Sequence, residues 1–391
     1  MQSDSTTNHE AIRQLVQDYG RYAKDTSPFE PGITPIPPSG KVLASEDLEL
    51  MIEAVLDGWL TTGRFNDAFE KALSDYLGVG KALTTNSGSS ANLLALSALT
   101  SPKLGERRLK PGDEVITVAA GFPTTVNPII VNGLIPVFVD VEIPTYNIDV
   151  GEIEDALSSQ TRAIMIAHTL GNPFQIDQVA ALAEKHNLWL IEDCCDALGS
   201  EFDGRRVGTF GHIGTLSFYP AHHITMGEGG AVFTSSAELA ALLESFRDWG
   251  RDCYCVGSAN LLPNGTCGNR FDRHLVGYDE IVDHKFIFGN VGYNLKPLDL
   301  QGAIGLVQLE KSKMIHTKRR HHKNMLEKIF LNNIPDLRIP GELDKAKTSW
   351  FGLPIICKNI SQKRELVAHL ESNKIQTECT LCVCFSIWRD S

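Results

Sequence analysis

The chain has 391 residues, 42% of them hydrophobic, and a formal net charge of −12. This length suffices for a large domain plus a smaller one, and the acidic balance argues against a nucleic-acid partner, because proteins that bind the phosphate backbone usually present a basic face. The sequence contains no apolar run long enough to cross a membrane, and its polar N-terminus does not resemble a signal peptide. We therefore expect a cytoplasmic protein without a membrane span.

Residues 1–40 are expected to form a short helix followed by an extended arm. Residues 27–40 contain five prolines, which lack the amide hydrogen that a helix interior needs. We place the start of the main domain, residues 41–300, directly after this arm.

Within residues 41–300, short apolar runs alternate with helical patterns. This alternation predicts an α/β fold, in which a mostly parallel central sheet carries helices on both faces. Ligands in such sheets bind beyond the carboxyl ends of the strands. The predicted strands are residues 115–121, 136–142, 163–171, 188–195, 215–220 and 230–235, and the predicted helices are residues 89–99, 177–187 and 237–250.

Residues 301–391 predict a long connecting helix and a small C-terminal α+β domain. Residues 350–358 are apolar enough to form a strand of this domain. The last dozen residues continue no periodicity. They contain Cys379, Cys382 and Cys384, whose close spacing we interpret as accidental rather than metal-binding.

Polar residues stand where several of the predicted strands end. Gly88 and Ser89 belong to a run of small residues, 86–91, between a strand and a helix, where backbone amides can approach a phosphate. The same run could be an ordinary helix cap. Asp193 closes a predicted strand and could pair with a protonated pyridine nitrogen, and Phe122 could stack on such a ring. Taken singly, such residues are more often an aspartate in a loop network and an aromatic residue of the core.

The segment from Ser217 to His223, followed by the glycine-rich residues 227–230, completes a combination that is more specific than its parts. In this order, and together with residues 59–63 and 292–294, the motifs resemble the DegT/DnrJ/EryC1/StrS family of pyridoxal-phosphate sugar aminotransferases. The resemblance covers roughly residues 58–309. It implies the type I fold of PLP-dependent transferases, which is similar to that of aspartate aminotransferase.

The resemblance also implies a role for each residue of the cofactor site. Gly88, Ser89 and Ser217 would bind the cofactor phosphate. Phe122 would stack on the ring, and Asp193 would form the salt bridge to the ring nitrogen.

Two further positions follow from the same resemblance. Asn294 would reach the cofactor phosphate of the neighbouring subunit, which implies a homodimer. Asp196 stands beside the cofactor hydroxyl, where most family aminotransferases have a glutamine. This position is the first departure from the family pattern.

The second departure concerns the residue that determines the chemistry. Family aminotransferases have a lysine at the position of His222, because transamination needs an amine that forms a Schiff base with the cofactor aldehyde. The chain has no lysine between Lys185 and Lys285. We therefore expect pyridoxamine 5′-phosphate, or pyridoxal 5′-phosphate, to be held non-covalently. His222 can move protons near neutral pH, Tyr219 is a second polar group at the site, and the family register favours His222 over His223.

This substitution predicts a dehydration in place of amino transfer. When a 4-keto sugar is joined to the cofactor amine, removal of a proton from the cofactor pushes electrons toward the sugar and expels its C3 hydroxyl group. Without a lysine to release an aminated product, the reaction is directed away from transamination.

The cysteines predict how the dehydrated sugar is processed. Cys195, Cys253 and Cys255 are arranged as in the iron–sulfur branch of the family, and Cys267 is the best candidate for the fourth ligand, although it lies farther from Cys255 than in the family pattern. Four thiolates suit a 2Fe-2S cluster. Members of this branch deoxygenate a CDP-linked 4-keto-6-deoxy sugar for O-antigen synthesis. Their electrons come from an NADH-dependent flavin and iron–sulfur reductase.

Several alternatives remain open at this point. The cysteines could bind zinc, although none of these four forms a C-x2-C pair, or they could be unconnected core residues. The enzyme could be a cluster-free 3-dehydratase that also has His in place of Lys. Because family members continue beyond residue 391, the chain could also be a truncated, inactive homologue. An ordinary aminotransferase agrees least with His222.

Overall fold

The computed structural model describes residues 2–22, 28–40, 42–143, 145–253, 270–274, 277–334 and 337–378. At its start, helix α1 (Gln2–Tyr22) is 21 residues long, so the expectation of a short helix was wrong. The arm after it is not fully extended either. It turns at residues 31–33, and Ile36 then pairs with Ile375 near the other end of the described chain.

A seven-stranded sheet lies at the centre of the molecule. Six strands run parallel and the seventh, the last in the sequence, runs antiparallel between the first and the sixth. The carboxyl ends of the six parallel strands therefore lie at one edge. In chain order the strands are β1 (Lys81–Thr85), β2 (Glu114–Val118), β3 (Ile135–Val139), β4 (Thr161–Ala167), β5 (Trp189–Asp193), β6 (Ile213–Ser217) and β7 (Gly230–Thr234).

Helices cover both faces of this sheet, as the alternation in the sequence predicts. Strand β4 shows this directly, because Ile164 and Ile166 pack in one apolar cluster while Ala163 and Met165 pack in another. Successive side chains of a strand point to opposite faces, so both faces are buried. After α1 the helices are α2 (Ser45–Leu56), α3 (Arg64–Leu77), α4 (Gly88–Ala98), α5 (Pro123–Val131), α6 (Ile176–Lys185), α7 (Ala237–Arg247), α8 (Asp299–Asn333) and α9 (Ile360–Ser372).

The six predicted strands and three predicted helices are confirmed, and each begins within two residues of the predicted start. The strands end earlier than predicted, because the last residues of each run form the turns beyond the sheet edge. Strand β2 ends at Val118, so Phe122 does not close a strand but precedes α5 as its N-terminal cap residue.

The predicted strand at residues 350–358 was wrong. In this segment only Ile356 forms a bridge, with Arg338. The side chain of Arg319, on α8, donates hydrogen bonds to the carbonyl oxygens of Trp350 and Phe351. The segment is apolar because it packs against α8, and its carbonyl groups are satisfied by an arginine rather than by a neighbouring strand.

Helix α8 confirms the predicted long connecting helix. It contains 35 residues and therefore extends over roughly 50 Å. Its first part lies against α2 and α3, and its later part reaches residues 348–351. None of the helices in the described residues combines the length and the apolar character that a membrane span needs.

Candidate functional site

Asp193 lies at the carboxyl end of β5 and is only 4% exposed. Its Oδ2 atom accepts hydrogen bonds from Asn92 Nδ2 at 2.8 Å and from Thr125 Oγ1 at 2.7 Å. Its Oδ1 atom accepts the backbone N–H of Cys195 at 3.0 Å. These three donors hold the carboxylate in one orientation at the sheet edge.

Two of these partners were missed by the sequence analysis. Asn92 is itself oriented, because Thr215 Oγ1 donates to its Oδ1 atom at 2.6 Å and so directs its amide N–H toward Asp193. Asn92 follows Gly88 by about one helical turn, and this spacing is the signal that could have found it. Thr125 carries no such signal, since its contact depends on how α5 packs beside β5.

Gly88 and Ser217 are brought together at the start of α4. A Cβ atom placed on Gly88 would lie 2.4 Å from Ser217 Cβ and 2.7 Å from its Oγ atom, so only glycine fits. Ser87 caps the helix by accepting the N–H of Ser90 at 3.1 Å, and Ser89 is exposed in the first turn. A capped helix N-terminus with a neighbouring hydroxyl is a suitable site for a phosphate.

Phe122 and Tyr219 lie at the surface of the site. Their side chains are 53% and 51% exposed. Phe122 stands three residues before Thr125, which contacts Asp193. An exposed aromatic ring one helical turn before a contact of Asp193 is suited to cover one face of a bound planar ring.

His222 is mostly buried, with 14% of its side chain exposed, and its Nδ1 atom lies 3.5 Å from Asp196 Oδ1. The pKa of His222 is lowered to about 4, mainly by burial and also by the positive charge of Arg319, while the charge of Asp193 opposes the shift. The pKa of Asp196 is raised to about 7, mainly by burial and also by the charge of Asp193, while Arg319 and a backbone hydrogen bond from Leu170 oppose the shift. Near neutral pH the imidazole is therefore uncharged and can accept a proton.

The neighbouring His223 has a different environment. It is 3% exposed, and its Nε2 atom donates to the carbonyl oxygen of Ser349 at 2.7 Å. Its ring lies 5.6 Å from that of His316 in the interior. Both histidines border the same cavity, but the Nε2 atom of His223 is already used by the Ser349 carbonyl group.

Arg319 is the third residue that the sequence analysis missed. Its Nη1 atom donates to the carbonyl oxygens of Trp350 at 3.1 Å and Phe351 at 2.9 Å, and its Nη2 atom donates to that of His222 at 3.3 Å. The ring of Phe351 lies 5.1 Å from that of His222. Arg319 thus joins α8 to the His222 segment. In the sequence it belongs to a basic stretch, 318–320, that is indistinguishable from a solvated helix face.

Two of the four predicted cluster ligands lie in the described part of the chain. Cys195, two residues beyond Asp193, is partly exposed, and Cys253 is buried. Burial raises the pKa of the Cys195 thiol, and the Asp193 carboxylate raises it further. Cys255 and Cys267 lie outside the described residues, so the structure does not test the proposed four-cysteine site.

Another group of potential metal ligands is found among the described residues, formed by His168, Glu192 and Cys194. It does not include Cys195 or Cys253. The Glu192 carboxylate already accepts hydrogen bonds from His168 Nε2 at 3.1 Å and from three backbone N–H groups. Both of its oxygen atoms are therefore occupied by hydrogen bonds. This group is therefore a structural network that fixes the end of β5. The three N–H groups belong to Gly208, Phe210 and Gly211.

Asn294 is exposed, and its Oδ1 atom accepts Lys296 Nζ at 2.7 Å. Lys296 Nζ also lies 3.5 Å from the ring centroid of Trp249. Burial lowers the pKa of Lys296 to about 8. The predicted contact of Asn294 with a neighbouring subunit stays a prediction.

The sequence and the fold both match known proteins. The model of the DegT/DnrJ/EryC1/StrS aminotransferase family matches residues 42–386. The lipopolysaccharide biosynthesis protein RfbH of Salmonella typhimurium is 58% identical over 94% of this chain and 84% of that protein. The dTDP-4-dehydro-2,6-dideoxy-D-glucose 3-dehydratase of Saccharopolyspora spinosa is 50% identical over 94% of this chain and 78% of that protein.

Solved structures of related enzymes share the architecture. An E. coli GDP-4-keto-6-deoxy-D-mannose-3-dehydratase with bound hydrated PLP matches with a TM-score of 0.78 at 28% identity, over 90% of this chain and 87% of that one. A GDP-4-keto-6-deoxymannose-3-dehydratase with a trapped PLP–glutamate geminal diamine matches with a TM-score of 0.76 at 29% identity, over 88% and 85%. The expected type I fold of PLP-dependent transferases is thereby confirmed.

Proposed function

This chain belongs to the DegT/DnrJ/EryC1/StrS aminotransferase family, and from that premise we propose that it removes the C3 hydroxyl group of a nucleotide-linked 4-keto-6-deoxy sugar. The observation that carries the proposal is His222, a mostly buried histidine with a lowered pKa, which the family resemblance assigns to the position of the family's lysine. The dehydratases among its relatives support the same reaction class.

The residues of the site fit pyridoxamine phosphate. The close approach of Gly88 to Ser217 at the start of α4 provides a cradle that a Cβ atom would fill, and this cradle would hold the phosphate. The buried Asp193 carboxylate would hold the ring nitrogen, and Phe122 would cover the ring. When bound, the cofactor supplies the amine that joins the sugar ketone and the ring that withdraws electrons.

His222 is the proposed proton acceptor. Its Nδ1 atom lies 3.5 Å from Asp196 Oδ1 and forms no hydrogen bond within the described residues, so the imidazole is not fully committed to other partners. When His222 takes up one proton and the sugar loses hydroxide from C3, the net loss is one water molecule. Tyr219, at the exposed side of the site, is the proposed second polar group for the departing hydroxyl.

We further propose that Cys195, Cys253, Cys255 and Cys267 would hold a 2Fe-2S cluster, which would supply the electrons that the dehydrated sugar needs for its reduction. In support, Cys195 lies two residues beyond Asp193, and its backbone N–H binds that carboxylate. The two electrons would come from NADH through a separate flavin and iron–sulfur reductase, one at a time, with protons taken up from solvent. From the resemblance to the iron–sulfur branch we also propose a CDP-linked substrate, the separate reductase, a homodimer and a role in O-antigen synthesis.

A cluster-free 3-dehydratase is the second candidate. It is favoured by the fold match to enzymes of that reaction name, including the one with a trapped PLP–glutamate geminal diamine. In this case the deoxy sugar would be released by hydrolysis, and the cofactor amine would be restored from glutamate. An inactive homologue, the third candidate, would bind the cofactor without turnover.

Iron content separates these candidates. We expect anaerobically purified protein to contain about two irons and two acid-labile sulfides per chain, to absorb visible light and to bleach with dithionite. The Cys195→Ser variant should lose the iron, while Cys357→Ser, at a partly exposed cysteine elsewhere, should retain it.

Turnover then completes the test. With iron present, CDP-4-keto-6-deoxyglucose should be deoxygenated only when pyridoxamine phosphate and the reductase are both added. Iron-free protein that deoxygenates a nucleotide sugar with glutamate would establish the cluster-free reaction instead. If His222→Asn leaves turnover unchanged, the proposed proton acceptor is wrong.

A further inference from the structure

A chain of alternating charges runs from α3 to the segment that contains Asn294. Glu70, on α3, accepts a hydrogen bond from Arg247 Nη1 at 2.8 Å, and Arg247 Nε donates to Asp248 Oδ1 at 2.9 Å. Asp248 Oδ1 in turn lies 3.9 Å from Lys296 Nζ. None of these four charged side chains is more than 7% exposed, so water and salt screen their charges only weakly. The chain of charges therefore restricts where the ammonium group of Lys296 can lie.

The aromatic ring of Trp249 holds the same ammonium group. Lys296 Nζ lies 3.5 Å from the ring centroid, which is a close cation–π contact. Trp249 has a φ of +64°, a left-handed backbone conformation that is uncommon for a bulky residue. Its backbone N–H donates to the carbonyl oxygen of Tyr293 at 2.6 Å, which keeps it in this conformation. Backbone strain of this kind is found mainly at functional sites, and here it places an indole ring against a buried lysine.

The third contact of Lys296 orients the side chain of Asn294. Lys296 Nζ donates to Asn294 Oδ1 at 2.7 Å. An ammonium group has donors only, so it binds the amide oxygen and leaves the Nδ2 group of Asn294 on the opposite side. Asn294 is exposed, and its Nδ2 group has no acceptor among the described residues. The amide therefore presents its N–H donors outward in a fixed orientation.

The backbone of this segment joins it to the proposed phosphate site. Residues 293–295 pair with residues 246–249, and the N–H of Leu295 donates to the carbonyl oxygen of Arg247 at 3.2 Å. The carbonyl oxygen of Leu295 accepts the N–H of Asn86 at 2.8 Å, and Asn86 begins the run of small residues 86–91. Asn294 thus belongs to the cofactor side of the molecule rather than to a remote surface.

We infer that Lys296 is a positioning residue for the cofactor phosphate, because it turns the amide of Asn294 so that Nδ2 donates to that phosphate. The inference rests on the proposed function and on the family resemblance, which assigns Asn294 to the cofactor phosphate of a neighbouring subunit. Lys296 does not bind the phosphate itself, since its ammonium group is already held by Asn294 and Trp249. Its removal should therefore act through Asn294.

Calorimetric titration of the full-length protein tests this inference at pH 7, where Lys296 is mostly protonated because its pKa is about 8. The ligands are pyridoxamine phosphate and pyridoxamine, which lacks the phosphate. In Lys296→Met we expect the affinity for pyridoxamine phosphate to fall about tenfold, as for the loss of one hydrogen bond to a charged group, while the affinity for pyridoxamine stays unchanged. Lys296→Arg, which keeps a cationic donor, should retain most of the affinity. Lys71→Met, at an exposed position on α3, is the control and should bind both ligands like the parent chain.

Two further variants separate positioning from a general effect on the structure. Lys296→Met combined with Asn294→Ala should bind pyridoxamine phosphate as Asn294→Ala alone does, because Lys296 then has no amide to orient. Asn294→Asp keeps an oxygen that accepts from Lys296 but lacks the N–H donors, so its affinity for pyridoxamine phosphate should also fall at least about tenfold. This variant tests the inference even if Lys296→Met does not fold.

Several results would overturn the inference. Additive losses in the double variant would show that Lys296 acts independently of Asn294, and an equal fall in the affinity for pyridoxamine would show damage to the whole site. Unchanged affinity for pyridoxamine phosphate in Lys296→Met or in Asn294→Asp would also contradict it. A parent chain that binds no pyridoxamine phosphate would contradict the proposed cofactor together with the inference. Because neither iron nor turnover is measured, failure of the proposed reaction would be seen separately.

Discussion

The segment from Ser217 to His223 separates two regions of opposite electrostatic character. On the side of the sheet edge, Asp193 is surrounded by neutral donors from α4 and α5. On the side of α8, Arg319 and its neighbours line a cavity that has no carboxylate among its described lining residues. A protonated ring nitrogen suits the first region and an anionic group suits the second, so the two regions favour charges of opposite sign on either side of this segment.

The two regions are also held together differently. Asp193 is oriented by two side chains, one from α4 and one from α5, together with the backbone N–H of Cys195. Arg319, in contrast, is bound by backbone carbonyl groups of the His222 segment and residues 350–351. A change at Asp193 should therefore affect ligand binding, whereas a change at Arg319 should affect the fold.

The largest effect is expected from Asp193→Asn. The amide oxygen can still accept from Asn92 and Thr125, so the fold should persist, but the negative charge opposite the ring nitrogen is lost. We expect the affinity for pyridoxamine phosphate to fall roughly a hundredfold, because hydrogen bonds to charged groups contribute about 1.5–3 kcal/mol. Absorbance titration measures this affinity. Asp75→Asn, at an exposed position on α3, is the control, and equal affinity in both variants would contradict the role given to Asp193.

A smaller effect, on stability rather than on cofactor binding, is expected from Arg319→Met. The variant leaves three carbonyl groups without their donors, and we expect the free energy of unfolding to fall by roughly 2–4 kcal/mol. Urea denaturation measures the change. Lys318→Met, which removes the adjacent charge, should stay within about 0.5 kcal/mol of the parent chain. If the two variants were equally stable, Arg319 would not join α8 to the His222 segment.

The two regions also differ in how far they could be predicted from the sequence. Asp193, Gly88 and Ser217 stand in local motifs at strand ends, and the strands themselves have a clear apolar pattern. Arg319 acts through carbonyl groups of distant segments, which carry no side-chain signature. Residues 350–358 were wrongly predicted as a strand because their apolar composition does not distinguish a segment that packs on a helix from a buried strand.

The smallest effect concerns pH and tests whether the α8 side tolerates further positive charge. The pKa of His316 is lowered to about 3, mainly by burial and also by the charges of Arg320, Arg206 and Arg319. Tyr76 and the Ser349 hydroxyl bind its ring. The folded-state pKa lies below the ordinary value of 6.5, so the unfolded chain binds more protons.

The stability that His316 provides is therefore fully present above pH 6.5 and declines as the pH falls toward 3. For this histidine we expect a loss of about 1 kcal/mol between pH 7.5 and pH 5.5, measured by urea unfolding at each pH. In His316→Gln, whose amide can replace one of the two hydrogen bonds, this part of the pH dependence should disappear even if the variant is less stable throughout. An unchanged slope would mean that the histidine titrates alike in the folded and unfolded chain. The positive charges near His316 would then be screened more strongly than their burial implies. The electrostatic contrast between the Asp193 side and the α8 side of the His222 segment would be weaker.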